Sequence, residues 1–305
     1  MKAFSLKRFN TTGPCVSDMH YMLPVLSRLP DVDDLIEGGF YFIIHAPRQS
    51  GKTTFLKFLT EKINTHGQKY ALSCSLATLR GIINEDKVID RVFSQINMAM
   101  KSSRVELIKA KGYKYDFLPG MSAPDTKVRI MLNQLCQDLD KELVVFFDEA
   151  DLLTGLGLLT FLAQIRDGYN DRDEQHNKFP RSLALVGMRD IRDYIASEHP
   201  DSTGDHLVSP FNIKKRALTL TNFTEAEIQT LYHQHTEATG QIFERSAIAK
   251  AWHWSEGQPW LVNALADTVI VDELSNDFSV AITSEHIDQA AEILIKRRDT
   301  HIDSL

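Results

Sequence analysis

The sequence predicts an α/β protein built on a parallel sheet with helices on both faces, followed by a smaller all-helical part. Three observations lead there. Short apolar, aromatic and β-branched runs at 40–46, 70–75, 143–147 and 183–186 alternate with stretches of helical periodicity. Most of these runs are apolar throughout rather than every second residue, as strands buried on both faces are. Beyond about residue 216 strand signals fade and helical ones continue alone.

Taken in order, residues 1–30 are punctuated by Gly13, Pro14, Pro24 and Pro30 and read as an arm leading into the fold. FYFIIHA at 40–46 is a buried strand, and a helix from about Gly51 places Phe55, Leu56, Leu59 and Ile63 on one face. A second strand is expected at 70–75, a helix at 85–100, a polar inserted loop at 102–124 and a helix at 125–139. LVVFF at 143–147 is the strongest strand signal. A helix at 152–166, a polar loop at 167–180, a strand at 183–186 and a last strand near 217–221 complete the first part. Helices follow near 225–239, 245–254, 259–272 and 284–296. The expected division is an arm at 1–30, a core at 31–221 and a helical domain at 222–305. There is no internal repeat and no low-complexity tract.

The bulk properties exclude several classes of protein. With 305 residues, 43% hydrophobic and 25% charged, the chain can bury its own core without special devices. A net charge of -7 supplies no general attraction to nucleic acid, so DNA or RNA is not the favoured partner. Cys15, Cys74 and Cys136 are too scattered for a disulfide framework or a zinc spacing. No signal peptide and no apolar run near the ~18 residues of a membrane span is visible, so a cytoplasmic protein with no membrane partner is expected.

The segment HAPRQSGKTT at 45–54 follows a buried strand and opens a helix, the context a phosphate-binding loop requires. Backbone N–H groups of Pro47-Arg48-Gln49-Ser50-Gly51-Lys52-Thr53-Thr54, proline excepted, and the helix N-terminus would face a β-phosphate. Gly51 would let backbone approach without a Cβ in the way. Lys52 would bridge β- and γ-phosphate oxygens, and the Thr53 hydroxyl would reach Mg²⁺. Ala46 stands where the motif has its first glycine, a position a small residue fills if φ stays negative. The plain alternative is an ordinary helix N-terminus.

The run LVVFF ends in Asp148 and Glu149. Ligands of parallel sheets bind beyond the carboxyl ends of the strands, where the phosphate loop also lies. Asp148 would hold Mg²⁺ through water, and Glu149 would act as general base toward the attacking water. Adjacent residues leave a strand on opposite sides, so the two can take different tasks. Asp148, Glu149 and Asp151 could otherwise be simple helix caps.

Two further segments carry weaker signals. After the strand at 183–186, Arg189 of Gly187-Met188-Arg189-Asp190 could read a γ-phosphate in its planar fork, or could pair with Asp190 or Asp193 at the surface. Gly257-Gln258-Pro259 could be helix punctuation, or a lid placing Pro259 against adenine. Trp252, Trp254 and Trp260 are expected in the core of the helical domain. His233 and His235, two apart on a helix and so on different faces, are expected to be solvated.

With FNTTGPC, HYMLP, HAPRQSGKTT, FFDEADLL, GMRD, SPFNI and GQPWLVNALA in hand, the chain resembles the AAA-like ATP-binding proteins of bacteria related to STAND and archaeal-type P-loop ATPases. Glutamate directly after the magnesium aspartate resembles their additional-strand catalytic-glutamate division. The resemblance implies a P-loop NTPase, three layers αβα, with sheet order 5-1-4-3-2 and a helical lid. It implies ATP or ADP with Mg²⁺ as ligands, Arg189 as a sensor and Pro259 as part of the lid. It also implies a slow ATPase acting as a nucleotide-controlled switch, coupled to a protein partner or to self-assembly. The alternatives are a non-hydrolysing nucleotide-locked adaptor and a DNA-handling ATPase similar to initiators or transposition regulators. Arg216 lies where some relatives keep an arginine finger, though Lys214 and Lys215 make it an ordinary basic cluster as well. Chains of this kind often continue past residue 305, so the helical domain is expected to be truncated.

Overall fold

The computed structural model describes residues 6–114, 123–172, 177–188 and 213–297. Five strands, β1 (Tyr41–His45), β2 (Tyr70–Ser75), β3 (Leu143–Asp148), β4 (Ser182–Gly187) and β5 (Lys214–Thr219), form one sheet in the order β2-β3-β4-β1-β5. All four pairings are parallel, which is the 5-1-4-3-2 order the resemblance implied. Helices α1 (Val32–Glu37), α2 (Lys52–His66), α3 (Glu85–Lys101), α4 (Glu106–Lys114), α5 (Lys127–Asp138) and α6 (Gly155–Asp171) accompany it. The fold is α/β, a parallel sheet accompanied by helices, as the sequence predicts.

The apolar runs explain the layering. Every residue of β3 and β4 is buried. Successive strand side chains point to opposite faces. Tyr41, Ile43, Leu72, Cys74, Leu143, Val145, Phe147, Leu183 and Leu185 share a core with the buried stripes of α3, α5 and α6. The intervening Phe42, Ile44, Val144, Phe146, Ala184 and Val186 are buried too, so both faces are covered. In α3 the stripe is Val88, Ile89, Val92, Ile96 and Met100, and the helix opens at Asn84, whose side chain accepts from Lys87 N–H.

Two expectations are corrected here. The stretch 102–124 is not wholly loop: α4 lies within it and buries Ile108 against α3. Only Ile108 and Gly112 of its nine residues are buried, so its apolar pattern is too sparse to read. The last strand begins at Lys214, earlier than expected. It is an edge strand with Lys214, Lys215 and Arg216 at its start and only Leu218 buried, so hydrophobicity marks it poorly.

The chain forms two compact units. The sheet unit comprises the described parts of Leu29–Ala46 and Phe55–Thr219. The helical unit comprises those of Met1–Arg28, Pro47–Thr54 and Leu220–Leu305. It contains α7 (Glu225–Thr239), α8 (Arg245–Ser255), α9 (Pro259–Asp267), a π-helical stretch Thr268–Glu273, and α10 (Ser284–Lys296). A capping box between Thr224 and Glu227 starts α7. Its core takes Phe9, Tyr21 and Leu23 from the N-terminal segment.

That core corrects two more expectations. His235 is not solvated but buried. Tyr21 O–H faces its Nδ1 at 3.2 Å, and its Nε2 lies 2.8 Å from Gln241 Oε1. The Gln241 amide donates to the Asp277 and Val280 carbonyls, which makes Oε1 the acceptor and puts the imidazole proton on Nε2. Burial lowers the His235 pKa, and the bond to Gln241 opposes that. His233 is exposed beside Glu237. Of the tryptophans, Trp252 and Trp254 are exposed, and only Trp260 packs against the core. Among the described residues no helix is long and apolar enough to cross a membrane.

Candidate functional site

The phosphate loop leaves the sheet at the carboxyl end of β1. Ala46 is buried, donates its N–H to the Gly187 carbonyl at 3.1 Å, and is not among the residues with positive φ. Alanine in place of glycine therefore brings no backbone strain. Pro47 and Arg48 are exposed and Ser50 is buried. Gln49 and Gly51 take φ of +60 and +88. Two left-handed residues within three bend the chain sharply; for Gln49 that conformation carries a cost that Gly51 escapes.

The loop's polar groups turn on one carbonyl. Pro47 O accepts from the Ser50 hydroxyl at 2.9 Å and from Lys52 Nζ at 2.6 Å. The ammonium thus lies back over the loop it follows. Thr53 is exposed in the first turn of α2. Thr54 Oγ1 accepts from Cys15 N–H at 3.1 Å, which fastens the N-terminal segment to the loop. In that segment Asn10 Nδ2 donates to Gly13 O, Asn10 N–H reaches Asn263 Oδ1 at 3.3 Å, and the Trp260 indole donates to Thr11 O.

In the sheet unit, β3 ends in Asp148, which is buried and opposite Ser75 in register. Asp148 Oδ1 accepts from Glu149 N–H at 3.0 Å. Glu149 has φ of +59, left-handed for a residue with a full side chain. Such backbone costs on the order of 1–3 kcal/mol and persists where its surroundings fix it, often at functional sites. Glu149 is at the N-cap of the turn Ala150–Leu152 yet makes no side-chain capping bond. Its carboxylate instead accepts from the Ser75 hydroxyl at 3.0 Å. Asp151, inside that turn, lies against Gly187, where a Cβ would come within 2.9 Å of its Oδ1. Arg189 and Asp190 lie outside the described residues. Arg216 pairs with Asp31 at the exposed edge of β5.

The Gly257-Gln258-Pro259 segment is tightly built. Gly257, with φ of +76, exchanges backbone contact with Phe223: Phe223 N–H donates to Gly257 O at 2.8 Å. A Cβ there would stand 1.8 Å from Phe223 O, so only glycine fits. Gln258 caps α9 by accepting from Leu261 N–H, and its Nε2 lies 3.5 Å from Gln49 Oε1 in the phosphate loop. Pro259 is buried at the first position of α9.

Sequence reasoning missed three participants. Ser75 was read only as a strand end, and the signal was its place opposite Asp148. Gln258 was read only as punctuation. Arg28, which reaches the Ser50 carbonyl at 2.9 Å, had no motif to mark it. Burial lowers the Arg28 guanidinium to about 10, opposed by nearby Glu227, and it stays protonated at neutral pH. Among the described residues no group of three or more His, Cys, Asp or Glu side chains could hold a metal by itself.

Known proteins share this architecture. The chain is similar in fold to a Walker-type ATPase of Pyrococcus abyssi, with a TM-score of 0.59 and 16% identity over 96% of this chain and 80% of that one. It is similar to the ORC1 protein of Aeropyrum pernix, solved in complex with DNA (TM-score 0.53, 15% identity, 91% of this chain and 67% of that one). It is also similar to Cdc6p of Pyrobaculum aerophilum (TM-score 0.54, 14% identity), covering 82% of this chain but 61% of that one, less than two thirds. No curated protein matches the chain in sequence. The profile of the AAA domain family matches residues 38–195, more than half of the chain, and the chain belongs to that family of nucleotide-binding ATPases.

Proposed function

We propose that the chain is a slow, Mg²⁺-dependent ATPase that acts as a nucleotide-controlled switch, with the helical part as its lid. The observation that carries this reading is the contact of the phosphate loop with the helical segment. Ser50 is tied through Arg28 to Thr221, and Gln49 lies beside Gln258, so phosphate arriving in the loop bears on the start of that segment. Loop N–H groups from Arg48 to Thr54 would receive the β-phosphate, with Lys52 exchanging the Pro47 carbonyl for phosphate oxygens. The Thr53 hydroxyl and the Asp148 carboxylate would hold Mg²⁺. That donor pair suits a cation that keeps most of its waters and takes one or two carboxylates plus phosphate, so the lack of a closed protein cage is no obstacle. Bound there, Mg²⁺ supplies charge neutralisation on the β- and γ-phosphate oxygens.

Glu149 is the proposed general base. Its carboxylate, held by Ser75, would orient a water and accept its proton; release from Ser75 would let it turn to that task. Arg189 remains the proposed γ-phosphate sensor. Pro259 is proposed to border adenine, which a nucleotide-bound structure would decide, since its place at the head of α9 already accounts for it structurally. A protein partner or a second copy of the chain would read the switch. The net charge of -7 offers no general pull toward nucleic acid, and DNA is not part of the proposal.

Glu149→Gln tests the hydrolytic part. The amide keeps size and accepts a hydrogen bond, so ATP affinity and thermal stability should hold. Turnover at saturating Mg·ATP should fall by about 10²–10⁴, the usual loss with a general base. Undiminished turnover would remove Glu149 from the mechanism.

A further inference from the structure

Arg28 ends the short 3₁₀ turn Val25–Arg28, and its guanidinium is shared three ways inside the helical unit. Nη1 donates to the Ser50 carbonyl at 2.9 Å, Nη2 donates to the Thr221 carbonyl, and the cation lies 4.9 Å from the centroid of the Phe223 ring. Nη1 is also the heavy atom nearest to where a Cβ on Gly51 would stand, at 3.4 Å. The buried Nε has no hydrogen-bond partner among the described residues.

What this does to the loop follows from the peptide unit. A trans peptide is planar, with its C=O and the next N–H pointing to opposite sides. A carbonyl of Ser50 turned onto Arg28 therefore sends the Gly51 N–H the other way. Gly51, with φ of +88, is the residue about which that peptide would most easily flip. A flipped peptide would present a carbonyl oxygen, not a donor, to an anion.

We propose that Arg28 is a positioning residue for nucleotide: it fixes the Ser50–Gly51 peptide with its N–H toward the bound phosphate and ties that peptide to residues 221–223. The proposal rests on the reading of 46–54 as a nucleotide-binding loop. The tie continues from Phe223 to Gly257 through their 2.8 Å hydrogen bond, and returns from Gln258 to Gln49 at 3.5 Å. The loop is thus held at two neighbouring residues by one circuit of contacts. Lysine would not replace Arg28 in it, because an ammonium lacks the planar fork that serves two carbonyls and a ring at once.

The test is displacement of a fluorescent ADP analogue by ADP and by AMP from the full chain, comparing parent, Arg28→Ala and Arg28→Lys, with thermal unfolding of each free protein. Arg28→Ala should lose about ten- to hundredfold in ADP affinity, the worth of one charge-assisted hydrogen bond. AMP, which has no β-phosphate, should lose less, so the preference for ADP over AMP shrinks. Arg28→Lys should fall between. A folded Arg28→Ala with the parent's ADP-over-AMP ratio overturns the proposal, whether or not both affinities drop together, because a merely structural loss would not discriminate phosphates. If Arg28→Ala does not fold, the parent's ratio in Arg28→Lys overturns it instead. A parent that binds no ADP refutes the nucleotide-binding reading itself, and does so before any variant is measured.

Discussion

In the sheet unit every residue of β3 and β4 is buried, and Ser75, Asp148 and Glu149 come together where β2 and β3 end. The helical unit buries polar groups in its middle: Tyr21, His235 and Gln241 form a hydrogen-bonded row among Phe9, Tyr232, Phe243 and Phe278. In one unit β3 and β4 are apolar through their middles, and carboxylates stand at the end of β3. The other spends buried hydrogen bonds on fastening its N-terminal segment to helices more than two hundred residues away. A buried row of this kind fixes a single arrangement when every member is satisfied and becomes a weakness when one is not.

The largest expected effect comes at the joint within the helical unit. Gly257→Ala would force a Cβ to 1.8 Å from the Phe223 carbonyl oxygen at a left-handed backbone position. Left-handed strain plus overpacking should cost about 2–5 kcal/mol. Chemical denaturation should show this as a lowered midpoint. A parent-like midpoint would mean that residues 223 and 257 separate freely, and that the circuit through Arg28 is not closed.

A smaller effect separates the two cores by pH. All three tryptophans of the chain, Trp252, Trp254 and Trp260, belong to the helical unit, so their fluorescence reports on it. The folded His235 has its pKa lowered by burial, so folding favours the neutral ring. Its contribution is whole above the unfolded value near 6.5 and is lost as pH falls below that toward the folded pKa. Between pH 7 and pH 5 His235 therefore lowers the tryptophan-detected unfolding midpoint, while Glu273 of the same unit, whose carboxyl pKa burial raises to about 7, acts in the opposite sense. The parent's midpoint should fall relative to that of His235→Gln, which cannot be protonated there but keeps the responses of Glu273 and of His20, whose pKa burial also lowers. An equal change in both proteins would show that His235 makes no contribution to the response.

The same contrast explains what could be read from sequence. Strands β1 to β4 were legible because their apolar runs are the core itself. The positions of the 46–54 loop after β1 and of Asp148 and Glu149 at the end of β3 were legible because the motif that marks them has fixed residues at fixed spacing. The helical unit's core was not, since Phe9, Tyr21 and Leu23 come from a segment that reads locally as an arm. His235 looked solvated because its partners, Tyr21 and Gln241, are specified by the fold and not by helical periodicity. The helix expected at 259–272 is present, but periodicity gave no sign that its second half, residues 268–273, is a π-helix with a wider turn. Arg28 escaped notice because it meets Ser50 across 22 positions with no motif between them.

The central claim, that residues 46–54 cradle the phosphates of ATP, is tested most directly by calorimetric titration of Mg·ATP into the parent and into Lys52→Ala. The parent should bind with measurable heat. Lys52→Ala should show no detectable binding while keeping the parent's circular dichroism and tryptophan emission, since the contact of Nζ with the Pro47 carbonyl, at 2.6 Å, lies at the exposed surface. Equal affinity in the two proteins would contradict the account.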